Sequence, residues 1–254
     1  MTPSNPPGHG DRTLTLADGR QLAYTDCGDP EGDPMFFAHG MPGSRLEGYF
    51  FDRAARAGGF RMITVDRPGI GRSEFQPGRT LLDYPRDIGQ LADALGMDRF
   101  SHMGWSSGGS RTLACCHGLG ERVELGICLS GYTHFPEYAA DGALLQATRW
   151  PGPAMARLSP RLVRMAVCLV AWLSRFQPGL YLRSARQMAS RQDRELLESM
   201  GSDGRFRADQ LECLTSHCRA IATDLLTELG DWGFRLGNVR TPVLVYQGAD
   251  DPFV

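Results

Sequence analysis

Three short stretches carry residue types that can do covalent chemistry. Gly104-Trp105-Ser106-Ser107-Gly108 is a G-x-S-x-G, His39-Gly40-Met41-Pro42-Gly43 is a glycine-rich turn after an apolar run, and Gly248-Ala249-Asp250-Asp251 sets two carboxylates at the mouth of another. A serine hydroxyl attacks an acyl carbon when it is exposed, held near a base, and followed by donors that stabilise the oxyanion. A tight strand-to-helix turn exposes it, and only glycines fit on either side of such a turn. Ser106 alone has glycine at both −2 and +2, which favours it over Ser107. A helix starting at Ser107 aims free N–H groups at the developing charge, and the turn at His39 reads either as a plain strand-ending turn or as one that presents the Met41 N–H beside the Ser107 N–H as the second donor.

The elements that must hold these groups follow from the apolar spacing. Runs rich in β-branched and aromatic residues predict strands at Thr13–Leu16, Gln21–Thr25, Pro34–Ala38, Arg61–Val65, Phe100–Met103, Val123–Leu129 and Val243–Tyr246, the last as a buried run. Helical spacing falls between them at Leu46–Ala57, Pro85–Leu95 and Ser107–His117; in the second, Ile88, Leu91, Ala92 and Leu95 make one apolar face. Strand and helix in alternation predict an α/β fold whose mostly parallel sheet is covered on both faces. The first two strands, joined through Ala17-Asp18-Gly19, read as an antiparallel hairpin at its edge. Residues 1–12, rich in Pro and Gly, read as a tail; 13–132 and 231–254 as the core; and 133–230, helical throughout, as an inserted cap.

Composition narrows the function classes. The chain has 254 residues, 42% hydrophobic and 22% charged, with a net charge of −2, which gives no basic excess for nucleic acid or an anionic membrane. The run Leu162–Leu173 is strongly apolar, yet too short for a span and interrupted by Arg164, so no stable membrane insertion is expected and a buried or lid helix is. Seven scattered cysteines show no CxxC or zinc spacing; reduced thiols, no metal and a cytoplasmic location are the expectation.

Taken in order, HGMPGS, DRPGIGRS (Asp66 to Ser73), GWSSGG, a helical insertion and a strand leading into GADDPFV resemble the α/β-hydrolase superfamily, in its cap-bearing serine esterase and peptidase-like branch. The resemblance runs from about Thr13 to Val254, with the cap its least specific part. It implies the α/β-hydrolase fold, Ser106 as nucleophile, Met41 and Ser107 as oxyanion donors, and an acid in a G-x-x-D-x-x-V pattern, which selects Asp251 over Asp250. Asp66 matches a turn residue that organises its loop and is given no chemistry. No cofactor is implied.

A triad also needs an imidazole between serine and acid. The family places it after one further strand, and no residue follows Val254. His9 lies in the tail, His39 in the oxyanion turn, His102 inside a strand, and His217 on a cap helix. His117 sits about 16 Å along a helix from Ser106. His134, past the end of a strand, is the best rival. The sequence therefore reads as a hydrolase cut short before its catalytic histidine, lacking a strand and a helix, and is expected to be inactive or nearly so.

The expected function is a serine hydrolase of small ester, amide or lactone substrates, with an apolar acyl or alcohol group suggested by the greasy cap helix. A serine in place of an attacking carboxylate argues against epoxide hydrolase chemistry. Alternatives on the same scaffold are carbon–carbon bond hydrolysis, aminopeptidase action, with an amine-binding acid among Glu137, Asp141, Glu195 and Glu198, and cofactor-free peroxidase activity. From a different class stands a catalytically dead, ligand-binding member.

Overall fold

Seven apolar runs become the strands of one sheet in the computed structural model, which describes residues 11–138, 152–177 and 204–248. The strands are β1 (Asp11–Thr15), β2 (Gln21–Gly28), β3 (Asp33–Ala38), β4 (Phe60–Val65), β5 (Phe100–Trp105), β6 (Val123–Leu129) and β7 (Val243–Tyr246), in the spatial order β1-β2-β4-β3-β5-β6-β7. Pairings β1–β2 and β2–β4 are antiparallel and the others parallel, so the expected hairpin does sit at one edge. β1 begins at Asp11, inside the stretch expected as a tail, because Asp11 pairs with Thr25 and its carboxylate meets Arg45 at 2.7 Å.

Alternation along the central strands explains the two-sided core. Phe36, Ala38, Ile63 and Val65 point to one face, against Ile88 and Leu91 of α2 (Asp83–Ala94) and Cys115 of α3 (Gly108–Gly118). Met35, Phe37 and Met62 point to the other, against Tyr49 and Ala55 of α1 (Gly48–Ala57). Burying both faces of a parallel sheet is what its crossover helices accomplish, and each large side chain so buried contributes roughly 1.5–3 kcal/mol.

Between β6 and β7 every described element is a helix: α4 (Phe135–Tyr138), α5 (Gly152–Leu158), α6 (Pro160–Phe176), α7 (Arg205–Leu214) and α8 (Cys218–Leu229). Two expectations are corrected here, and of the two readings of the apolar helix only the buried one is set aside. β7 is not a buried run, since among the described residues it pairs with β6 alone and Leu244, Val245 and Tyr246 are exposed. α6 buries Val163, Ala171 and Ser174 but turns Leu162, Met165, Leu169 and Phe176 outward, so only its narrow side packs. Nor do all the cysteines stay thiols, for Cys168 of α6 is joined to Cys218 at the start of α8 by a disulfide, while five are free and buried. No described helix is long and apolar enough to cross a membrane.

Candidate active site

β5 delivers the chain into α3 through a turn that the two glycines make possible. A Cβ on Gly104 would collide with the Gly108 carbonyl, and one on Gly108 would collide with the Ala38 carbonyl of β3. The turn forces Ser106 to φ 51°, a left-handed conformation that non-glycine residues adopt at a cost of about 1–3 kcal/mol. Its backbone is pinned on both sides, with the Ser106 N–H donating to Leu129 O at 2.8 Å and the Gly109 N–H donating to Ser106 O at 2.9 Å. The side chain is half-buried, and among the described residues none hydrogen-bonds its hydroxyl.

The glycine-rich turn after β3 lies against this elbow: a Cβ on Gly40 would stand 3.7 Å from Ser106 Cβ. Neither the Met41 N–H nor the Ser107 N–H has a hydrogen-bond partner among the described residues, which leaves two donors beside the serine. The turn is held from below and behind. Glu47 Oε2 accepts the Gly40 N–H at 2.8 Å; Asp209 of α7 accepts the Ser44 N–H at 2.8 Å and hydroxyl at 2.6 Å; and Gln210 donates to Pro42 O at 2.6 Å. Burial drives both carboxyl pKa values up, and Asp209 raises Glu47 further, so this pair resists ionisation.

Ser107 has the opposite surroundings. Its hydroxyl donates to Glu228 at 2.7 Å and accepts from Arg67 at 2.8 Å and Arg111 at 3.1 Å, all fully buried. Behind it Asp224 of α8 receives Arg67 Nε at 2.9 Å, Arg79 Nη2 at 2.6 Å and Arg111 Nη2 at 3.5 Å. Burial alone would raise the Asp224 pKa, but Arg67, Arg79 and Arg111 more than reverse it and hold this carboxylate well below its ordinary range. Glu228 keeps a raised pKa from burial, with Arg111 and the Ser107 hydroxyl pulling against it.

No described histidine hydrogen-bonds Ser106, and His9 lies outside the described residues. His134, the best rival for the base, accepts the Trp232 N–H at Nε2 (3.3 Å), meets Glu137 at Nδ1 (3.1 Å) and stacks on the Trp232 ring. His102 is buried between Thr112 and Tyr84, its pKa pushed down to about 3 by burial, and His117 stacks on Phe234. His39 is buried under the turn and held neutral by burial and by Arg67. His217 is exposed at the start of α8.

Ser106, Met41 and Ser107 are thus brought together, whereas Asp251 lies outside the described residues, as do Asp141, Glu195 and Glu198. Glu137 latches His134 and the Leu236 N–H at 3.0 Å. Asp66 does organise its loop, accepting the Arg45 N–H at 2.7 Å and the Arg72 N–H at 2.9 Å. The buried cluster of Arg67, Arg111, Asp224 and Glu228 escaped sequence reasoning. The one available signal was Arg67 following Asp66 at the end of an apolar strand, where a charge needs a buried partner.

Comparison with known proteins agrees with this fold. Residues 33–150 match the family described as alpha/beta hydrolase fold. The chain is similar to a non-heme chloroperoxidase of Streptomyces lividans, 36% identical over 99 residues, or 38% of this chain and 36% of the relative. A 2-hydroxy-6-oxononadienedioate/2-hydroxy-6-oxononatrienedioate hydrolase of Dechloromonas aromatica is 26% identical over 92% of this chain and 75% of its own. Among solved structures, an esterase from Exiguobacterium antarcticum superposes with a TM-score of 0.63 at 18% identity, covering 96% of this chain and 83% of that one. The chain spans little more than a third of the length of the first curated relatives it matches.

Proposed function

This chain has the α/β-hydrolase fold, and on that premise we propose that it is a serine hydrolase of small ester, amide or lactone substrates, working through an acyl-Ser106 intermediate. The observation that carries the reading is the elbow itself: a serine held at φ 51°, its hydroxyl unbonded among the described residues, beside two N–H groups with no internal partner. Ser106 Oγ attacks the acyl carbon and the carbonyl oxygen gains negative charge facing Met41 and Ser107. The alcohol or amine then leaves with a proton, and water releases the acyl group. Asp251 is the acid of this reading, oriented toward a histidine base. No described histidine hydrogen-bonds Ser106, and a serine without its base turns over several powers of ten more slowly than a complete triad.

A second reading, hydrolysis of an oxo-dienedioate, is favoured by the Dechloromonas match, which spans 92% of this chain. The cytoplasm is kept as the setting on the strength of the five free thiols; the Cys168–Cys218 bond counts against it. Fluorophosphonate labelling and p-nitrophenyl butyrate turnover, each compared with Ser106→Ala, test the main reading. Slow, stoichiometric labelling lost in Ser106→Ala supports it. Turnover of an oxo-dienedioate far above that of the ester moves the assignment to the second reading. A folded chain inert in every assay would mark a ligand-binding member.

A further inference from the structure

One guanidinium touches both halves of the oxyanion site. Arg67 leaves the carboxyl end of β4 fully buried and spends each of its nitrogens on a different element. Nη2 donates to the Gly40 carbonyl at 2.7 Å and Nη1 donates to the Ser107 hydroxyl at 2.8 Å, while Nε lies 2.9 Å from Asp224 of α8 as an ion pair without a directed hydrogen bond. A guanidinium is planar and its donors keep fixed directions, so the two Nη hydrogen bonds fix the turn relative to the elbow, and the charge of Asp224 holds the guanidinium in place.

The Gly40 carbonyl shares its peptide with the Met41 N–H. In a trans peptide the two point in opposite directions, so fixing the carbonyl on one side aims the N–H to the other. His39 Nδ1 reaches the same oxygen at 2.8 Å. A carbonyl only accepts, so Nδ1 carries the proton, and Nε2 is left to accept the Arg67 N–H at 3.4 Å. On its other side Gly40 is held by Glu47 through its own N–H. A charged donor on the carbonyl also polarises the peptide and strengthens the opposite N–H as a donor.

We propose that Arg67 is a positioning residue of the oxyanion hole, which orients the Gly40–Met41 peptide and locks it to the Ser107 end of α3, with Asp224 as its anchor. The proposal rests on the reading of Met41 and Ser107 as oxyanion donors. It gives a purpose to a buried charge that the fold would otherwise carry at a cost.

The test is Arg67→Lys, which keeps a positive charge but has a single nitrogen and cannot bridge both groups. Arg79→Lys serves as the control, since Arg79 shares Asp224 but touches neither Gly40 nor Ser107. In Arg67→Lys, kcat is expected to fall about 10²-fold, in the range for loss of an oxyanion donor, with KM within about twofold. The control is expected to stay within about threefold of wild type. A folded Arg67→Lys with wild-type kcat overturns the proposal. If the wild type shows neither Ser106-dependent labelling nor turnover, the hydrolase reading fails by itself; in that case, or where labelling occurs but turnover is too slow to assay, the amide nitrogen resonance of Met41 decides about Arg67. That resonance should move in Arg67→Lys more than amides outside 39–41 and 106–108; an unmoved one overturns the proposal. Should Arg67→Lys not fold, Asp224→Asn, which loosens the anchor without touching Gly40, is read by the same resonance with the same two outcomes.

Discussion

On one side of the elbow, Ser106 keeps a hydroxyl that no described residue hydrogen-bonds, on a backbone twisted to φ 51°. On the other side, Ser107 sinks its hydroxyl among Arg67, Arg111 and Glu228. Two identical side chains, adjacent in sequence, thus meet opposite surroundings. The difference shows how a reactive group is left unsatisfied without the loop around it going slack. Rigidity is supplied by the backbone and from the buried side, where ionic contacts hold the end of α3, and the side chain of the strained residue is spared any structural duty.

That contrast can be attacked from its buried side first. Asp224→Ala leaves three guanidinium groups short of their shared counter-charge, and denaturant unfolding should report a loss of about 3–5 kcal/mol. Equal stability of the variant would show that the cluster does not hold the elbow. Ser107→Ala is milder, because it keeps the backbone N–H and removes only the hydroxyl. A loss of about 1–3 kcal/mol is expected, with Ser106 labelling retained, whereas Ser106→Ala should abolish labelling and leave stability nearly unchanged.

A separate handle on stability is a pH effect at the turn. The fold raises the Asp209 carboxyl to about 7, chiefly by burial. Below about pH 4 the group is protonated in both the folded and unfolded chain. As pH rises above that, the unfolded chain ionises first, the folded state holds the extra proton, and stability falls by up to about 1.4 kcal/mol per pH unit until the folded carboxyl ionises too. Unfolding curves between about pH 4 and 7 should lose this component in Asp209→Asn, and a parallel dependence in wild type and variant would count against it. The smallest expected effect is on the rival base: His134→Ala should leave the Ser106 labelling rate as it is, since both ring nitrogens already serve Glu137 and Trp232.

Local pattern made the sheet and the elbow legible. Phe36 and Phe37 belong to opposite cores because neighbouring residues of a strand face opposite ways, and Gly104 and Gly108 announce a turn that admits no Cβ. The Ser107–Glu228 bond joins residues 121 apart, and nothing in LLTELGDW distinguishes Glu228 from a solvated helix charge. Composition failed on α6 for a related reason. An apolar helix is expected to bury its apolar residues, but which side is covered depends on the partners that surround it, and those are set by tertiary packing. Arg67 stood in plain view beside Asp66, yet a charged residue at the end of a strand reads as exposed until the acid it meets is known.

The Cys168–Cys218 bond gives the helical segment a covalent property that its packing alone would not. The two half-cystines are 50 residues apart, so everything between them is a closed ring of main chain stapled from α6 to α8. A single cut by a protease anywhere inside that ring changes the topology but not the mass on a non-reducing gel. The two fragments would separate only after a reductant is added, and α8, with its Asp224 and Glu228, would stay tethered to the amino-terminal fragment until then.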